Sequence, residues 1–172
     1  MNRLPLALCA TVLAACAAAG PAWAETLTTT FEVTLDVASH CTLVATAPVD
    51  FGTTLASTTT ERIATGRLGV ECNFPTAYTI TLDGGRNGTV GDRRMVNSAG
   101  DTIAYRLYSD AAGNCSAQSG APWGDGSSGT CTLSASHDGN GAEQAVPIEG
   151  RLTLSNPAAG TYSDTVTATI TY

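Results

Sequence analysis

The sequence predicts an all-β antiparallel sandwich. Three observations carry that expectation. Apolar and polar residues alternate with period two in run after run, no stretch past the leader sustains a 3.6-residue apolar period, and glycine-rich turn chemistry separates the runs. Threonine and valine, which suit a pleated, half-buried surface, fill those runs. Many short strands joined by such turns place the domain in the immunoglobulin-like class.

The first segment is a leader. Met1-Asn2-Arg3 is a short basic start, Leu4 to Ala19 is apolar, Gly20 and Pro21 break the run, and Ala22-Trp23-Ala24 forms a cleavage pattern before Glu25. Residues 1–24 therefore read as a secretory signal peptide, and the mature chain is expected to be soluble and exported. Leu13-Ala14-Ala15-Cys16 also has the form of a bacterial lipoprotein box, the alternative in which Cys16 carries a lipid. No later stretch approaches the roughly 20 apolar residues of a membrane span.

Behind the leader, Leu27 to Val37 alternates almost without a break. Leu27, Thr29, Phe31, Val33, Leu35 and Val37 share one face, and Thr28, Thr30, Glu32, Thr34 and Asp36 the other. This strand precedes the first cysteine of the mature chain, so residues 25–40 read as an N-terminal extension and residues 41–172 as the domain. Within the domain the expected strands are Thr42 to Ala47, Arg67 to Cys72 with Leu68 and Val70 aligned, and Tyr78 to Leu82 with Tyr78, Ile80 and Leu82 aligned. Thr102 to Tyr108 follows with Ile103, Tyr105 and Leu107 on one face, then a segment near Thr130 to Ser134, then Ala145 to Leu154 with Val146, Ile148, Leu152 and Leu154 on one face. The last strand, Tyr162 to Tyr172, places Val166, Ala168, Ile170 and Tyr172 on one side and Thr165, Thr167, Thr169 and Thr171 on the other. Turns fall at Asp83-Gly84-Gly85, Asn87-Gly88, Gly124-Asp125-Gly126, Asp138-Gly139-Asn140-Gly141 and Asn156-Pro157. Gly113 to Gly129 is poorest in strand signal and reads as a long loop pinned by Cys115 and Cys131.

Composition narrows the function. Charged residues make up 13% of the chain, lysine is absent and the net charge is -7, so there is no basic footprint for nucleic acid or an anionic membrane. Cys9 and Cys16 belong to the leader, leaving Cys41, Cys72, Cys115 and Cys131 in the mature domain. An even number in an exported chain reads as disulfides with three possible pairings. Cys41 with Cys72 and Cys115 with Cys131 is the expected choice, because sequential pairing joins neighbouring strands or the ends of one hairpin.

Candidate chemistry is sparse. His137-Asp138 lies amid serines, but no G-x-S-x-G elbow accompanies it, and a histidine in a polar turn is the better reading. No C-x-x-C occurs, and His40 and His137 lack ligand-like spacing, so no metal site is expected. Asp138 to Glu143 is reminiscent of a calcium loop but lacks the alternate third oxygen ligand and the distant bidentate glutamate. Trp123 reads either as an exposed ring for stacking on sugar or, preferably, as a ring covering the core edge. Asn87-Gly88-Thr89 and Asn114-Cys115-Ser116 fit the glycosylation sequon, which means little in a bacterial chain. No catalytic residue and no cofactor are expected.

Several local patterns agree in order along the mature chain. They include Phe31-Glu32-Val33, Cys41-Thr42, Phe51-Gly52, Val70-Glu71-Cys72, Tyr78-Thr79-Ile80, Asp83-Gly84-Gly85, Arg94-Met95, Tyr105-Arg106-Leu107-Tyr108, Trp123-Gly124-Asp125-Gly126, Ile148-Glu149-Gly150-Arg151 and Gly160 to Val166. The ordered set resembles the spore coat protein U domain family, which includes subunits of archaic chaperone-usher pili. The pair Cys115 and Cys131 is not a universal feature of that family. The resemblance implies an incomplete immunoglobulin-like pilin whose missing strand comes from a neighbouring subunit's N-terminal extension. It implies identical or related pilin subunits, a periplasmic chaperone and an outer-membrane usher as partners. It also implies export through the periplasm to the surface of a Gram-negative bacterium, with roles in adhesion and biofilm formation.

The residues lead to the same place by another route. A sandwich whose last strand ends at Tyr172 has nothing after it to cover the adjoining gap, while Leu27 to Val37 supplies a spare strand ahead of Cys41. Three alternatives stand beside this reading. Leu27 to Val37 pairs within its own domain as a first strand, or the chain is a monomeric secreted coat protein with a self-complemented sandwich, or it is a lectin binding carbohydrate through the Trp123 loop.

Overall fold

The computed structural model describes residues 23–55, 59–110, 115–118 and 120–172. The Cys16 lipid box and nearly all of the signal-peptide reading fall in residues 1–22, outside the described residues, as does the sequon residue Asn114. The chain divides into two units, Met1–Asp36 and Val37–Tyr172. In the first, the described residues carry no assigned helix or strand, and the side chains of Leu27, Phe31, Val33 and Leu35 are exposed.

The second unit contains eight described strands: β1 Cys41–Ala47, β2 Thr60–Cys72, β3 Ala77–Leu82, β4 Arg93–Val96, β5 Thr102–Tyr108, β6 Leu133–Asp138, β7 Gln144–Leu154 and β8 Ala168–Thr171. They form a five-stranded sheet in the order β1-β2-β7-β5-β4 and a three-stranded sheet in the order β6-β3-β8. Every pairing between named strands is antiparallel. No α-helix is found among the described residues. The all-β antiparallel expectation therefore holds.

Alternation in the sequence becomes burial in the fold. β2 and β7 pair from Thr60↔Leu154 to Val70↔Gln144, which puts Leu68 and Val70 on the same inner face as Val146, Ile148, Leu152 and Leu154. Tyr78, Ile80 and Leu82 of β3 are buried from the opposite sheet. Two inner positions lack side chains for a steric reason: a Cβ on Gly66 would lie 2.7 Å from Val49 Cγ2, and one on Gly150 2.6 Å from Val49 Cγ1. Val49 thus packs into a glycine-floored slot just beyond β1.

Four features differ from the expectations. β2 begins at Thr60, well before Arg67, because its first half pairs with the second half of β7. The short strand β4 was not foreseen. Asp138 to Gly141 is not a hairpin turn within one sheet but follows β6 and leads to β7 in the other sheet, so His137 lies on a strand. The last strand is shorter than Tyr162 to Tyr172, because Ser163 bridges to Val96 in the larger sheet whereas Ala168–Thr171 pairs with β3 in the smaller one. The chain changes sheets between them, and each register serves only part of the alternating run.

The loop before β6 delivers the largest fully buried side chain. Trp123 is buried, its Nε1–H donates to Ile80 O at 3.0 Å, and its backbone N–H donates to Leu107 O at 2.7 Å. One residue thereby ties β3 of one sheet to β5 of the other. Disulfides join Cys41 to Cys72 and Cys115 to Cys131.

Candidate functional site

Of the four described edge strands, β1, β4, β6 and β8, the pair β1 and β8 come together across the sandwich. β1 ends the larger sheet and pairs only with β2, and β8 ends the smaller sheet and pairs only with β3. Their outer backbone edges have no ladder partner among the described residues. Such an edge is a template for another strand.

The side chains make the same point. Leu43 pairs with Val70 and Ala45 with Leu68, so these four residues share the inner face. Val70 and Leu68 are 0% and 5% exposed, yet Leu43 is only half-buried and Ala45 is exposed. On β8, Ala168 pairs with Leu82 and Ile170 with Ile80. Again the β3 partners are buried while Ala168 and Ile170, with Val166 before them, are only half-buried. The core is closed over its centre and uncovered along the line where β1 and β8 meet.

A polar clamp holds the approach to β8 although only one of its edges is paired. Asp83, just past β3, accepts hydrogen bonds on Oδ1 from the Thr167 N–H at 2.8 Å and the Gly85 N–H at 2.9 Å. Asp164 accepts from the Tyr105 hydroxyl at 2.7 Å, the Arg86 N–H at 2.9 Å and Asn87 Nδ2 at 3.0 Å. Gly85 has φ +73°, and a Cβ there would lie 2.0 Å from Asp164 Oδ2, so this position requires glycine twice over. Beneath the clamp, the buried Arg93 donates from Nε to Asp83 O at 2.8 Å, from Nη1 to Trp123 O at 2.9 Å and from Nη2 to Leu82 O at 3.3 Å.

Ionisation follows these contacts. Burial lowers the Arg93 pKa, with nearby Tyr105, Asp83 and Asp164 acting in the other direction. Burial raises the Tyr105 pKa, and its hydrogen bond to Asp164 raises it further. Burial alone would raise the Asp83 carboxyl, but the hydrogen bonds from Thr167 and Gly85 outweigh it and leave the group below its ordinary value. Arg93 and Asp83 thus engage backbone groups, while Asp164 gathers two side chains, Tyr105 and Asn87, and the Arg86 backbone.

The residues singled out in the sequence distribute as follows. Leu27, Thr29, Phe31, Val33, Leu35 and Val37 are all exposed. Val166, Ala168 and Ile170 lie along the uncovered line, while Tyr172, beyond the end of β8, is 54% exposed. Leu43 and Ala45 were missed, although their parity with Cys41 marks them as inner-face positions. Trp123 is 0% exposed, which removes the ring a sugar would stack on. Among the described residues no group of three or more His, Cys, Asp or Glu side chains is placed to hold a metal ion.

Residues 27–169 match the Spore Coat Protein U domain. A relative, "Protein U" of Myxococcus xanthus, is 32% identical over 189 aligned residues that include 100% of both chains. The fold is similar to a chain in the crystal structure of the CsuC-CsuE chaperone-tip adhesion subunit pre-assembly complex, from archaic chaperone-usher Csu pili of Acinetobacter baumannii. That match has a TM-score of 0.54 and 22% identity, and covers 79% of this chain and 40% of that one. The present chain therefore spans about two fifths of that solved chain's length, and the likeness speaks to the fold, an immunoglobulin-like antiparallel sandwich. With the family match running from the exposed N-terminal segment into β8, this chain belongs to the spore coat protein U domain family.

Proposed function

We propose that the chain is a structural subunit of an extracellular chaperone-usher pilus, polymerising by donor-strand exchange. The observation that carries this reading is the uncovered inner face shared by Leu43 and Ala45 of β1 and Ala168 and Ile170 of β8, flanked by two unpaired backbone edges. Leu27, Thr29, Phe31, Val33, Leu35 and Val37 of another copy supply an alternating strand for it. Strand addition combines main-chain hydrogen bonds with alternate side chains entering the groove. Burying the five apolar members at about 1.5 to 3 kcal/mol each gives roughly 8 to 15 kcal/mol, an upper estimate because the free strand is already partly compact. Such a joint is long-lived. A strand given by one copy and a groove offered by the next form a heterologous contact, which propagates as an open filament.

The same edges are an aggregation hazard before assembly. A periplasmic chaperone that lends a strand, and an outer-membrane usher that receives the complex, complete the proposed route, with residues 1–24 removed on export. The pilus at the cell surface would serve adhesion and biofilm formation. The coat-protein alternative is favoured by one observation, the end-to-end match to Protein U within a family named for spore coat. Unboiled and boiled SDS gels separate the two: strand-exchanged fibres give a ladder that collapses on boiling, whereas a self-complemented monomer gives one band throughout. Deleting Glu25 to Val37 should abolish the ladder while leaving chaperone binding intact. Fibres of normal length from that deletion would exclude donor-strand exchange.

A further inference from the structure

The β1–β2 ladder does not stop at its last backbone pair, Cys41↔Cys72. Asn73 extends it with its side chain: the His40 N–H donates to Asn73 Oδ1 at 2.9 Å, Asn73 Nδ2 donates to Ala38 O at 2.9 Å, and the Asn73 backbone N–H donates to His40 O at 3.1 Å. An asparagine amide offers the same donor and acceptor as a peptide unit, so Ala38 to His40 are held as a continuation of β1. The turn that presents Asn73 is itself braced. Thr76 donates its backbone N–H to Asn73 O at 2.9 Å and its hydroxyl to Asn73 Oδ1 at 2.7 Å. Behind it, the Gly139 N–H donates to Thr76 O and the Gly141 N–H to Cys72 O, each at 2.9 Å. A Cβ on Gly139 would come within 2.5 Å of both Cys72 O and Asn73 O, so the loop after β6 packs directly onto this turn.

Val37 is the last residue of the alternating face, and Ala38 is the first residue held. No slack remains between the strand that would be donated and the body that donates it. With consecutive Cα atoms 3.8 Å apart, a Val37 seated in another copy brings that copy to within about 10 Å of the residue after Asn73. That residue is Phe74, 74% exposed and followed by Pro75.

We infer that the Asn73-Phe74-Pro75 turn is a second contact between consecutive copies of this chain, in which Asn73 positions the linker and Phe74 docks on the copy that receives the strand. The inference rests on the donor-strand reading above. It adds that the joint is stiff and two-point, rather than a flexible tether with one strand seated in a groove.

Phe74→Ser alters an exposed side chain and should leave the melting of the chaperone-bound subunit unchanged. Fibres of the full-length variant should still give an SDS ladder, but the ladder should collapse at a lower temperature. Electron micrographs should show a broader distribution of angles between successive subunits. Asn73→Ala should produce the same broadening, and hydrogen exchange at the His40 amide in the chaperone-bound subunit should become roughly tenfold faster. Ladders and angle distributions identical to wild type in both variants would overturn the second contact while leaving donor-strand exchange standing. Absence of any ladder from the wild-type chain would remove both.

Discussion

At the scale of single residues, the fold depends on two side chains that address backbone rather than other side chains. Arg93 serves three carbonyls in two segments, Leu82 and Asp83 at the end of β3 and Trp123 in the loop before β6, and is 1% exposed. Removing a buried charge that neutralises carbonyl dipoles leaves all of them unpaired. Arg93→Ala is therefore expected to lower unfolding free energy by about 3 kcal/mol or more, and Trp123→Ala by about 3 to 5 kcal/mol, both measured by urea unfolding. Neither role was legible in the sequence. Arg93 sits in Arg93-Arg94-Met95-Val96, where nothing distinguishes the buried arginine from the exposed one, and its partners come from distant parts of the chain. Trp123 was legible as a large core-edge ring, but its place between the sheets depends on a loop with no periodic signal.

Asp83 gives a prediction in pH. Its folded pKa lies below the ordinary value of 3.8, so its contribution to stability is present above that value and lost as pH falls through the folded pKa. Asp83→Asn keeps an oxygen that can accept from Thr167 and Gly85 but cannot titrate. Urea midpoints measured at neutral pH and below about pH 3 should therefore fall less steeply for the variant than for wild type. Equal slopes would mean that Thr167 and Gly85 do not favour the ionised carboxylate.

At the scale of elements, legibility followed contact with a single sheet and core rather than the length of alternation. Tyr78 to Leu82, Thr102 to Tyr108 and Ala145 to Leu154 were read with their buried faces correct, because each lies against one core along its whole length. The last strand misled for a physical reason. Tyr162, Asp164, Val166, Ala168 and Ile170 all turn inward, but the first part of the run bonds to the larger sheet and the last part to the smaller. Alternation reports burial, not pairing. The disulfides can be ranked by the loops they close. Cys41–Cys72 spans 31 positions and Cys115–Cys131 spans 16, so chain entropy makes the first the stronger, at about 3 to 4 kcal/mol. Paired serine substitutions followed by denaturation should reproduce that order. In the proposed assembly β8 takes a partner strand on its outer backbone edge, so deleting Ile170 to Tyr172 should abolish chaperone capture. Co-purification of the truncated chain with its chaperone at wild-type yield would place the groove elsewhere.

At the scale of the whole molecule, the proposed assembly sets the alternating segment of one copy against the open sandwich of the next. The segment reads in the sequence as an amphipathic strand, and in the free chain its described residues carry no assigned strand. Period two gives a face but cannot name the sheet that face will meet, and half of the proposed receiving site was not read at all. Leu43 and Ala45 look like ordinary first-strand residues until their exposure is set against the burial of Val70 and Leu68 opposite them.

The most direct test places a photo-crosslinking residue at Phe31 and assembles fibres from an equal mixture of isotopically light and heavy subunits. Mass spectrometry of the crosslinked peptides then reports both the address and the copy. The account predicts mixed light–heavy crosslinks from position 31 to peptides containing Leu43 or Ala168 to Ile170. Crosslinks joining only peptides of the same isotope would show that Leu27 to Val37 completes its own domain, and would contradict assembly by donor-strand exchange.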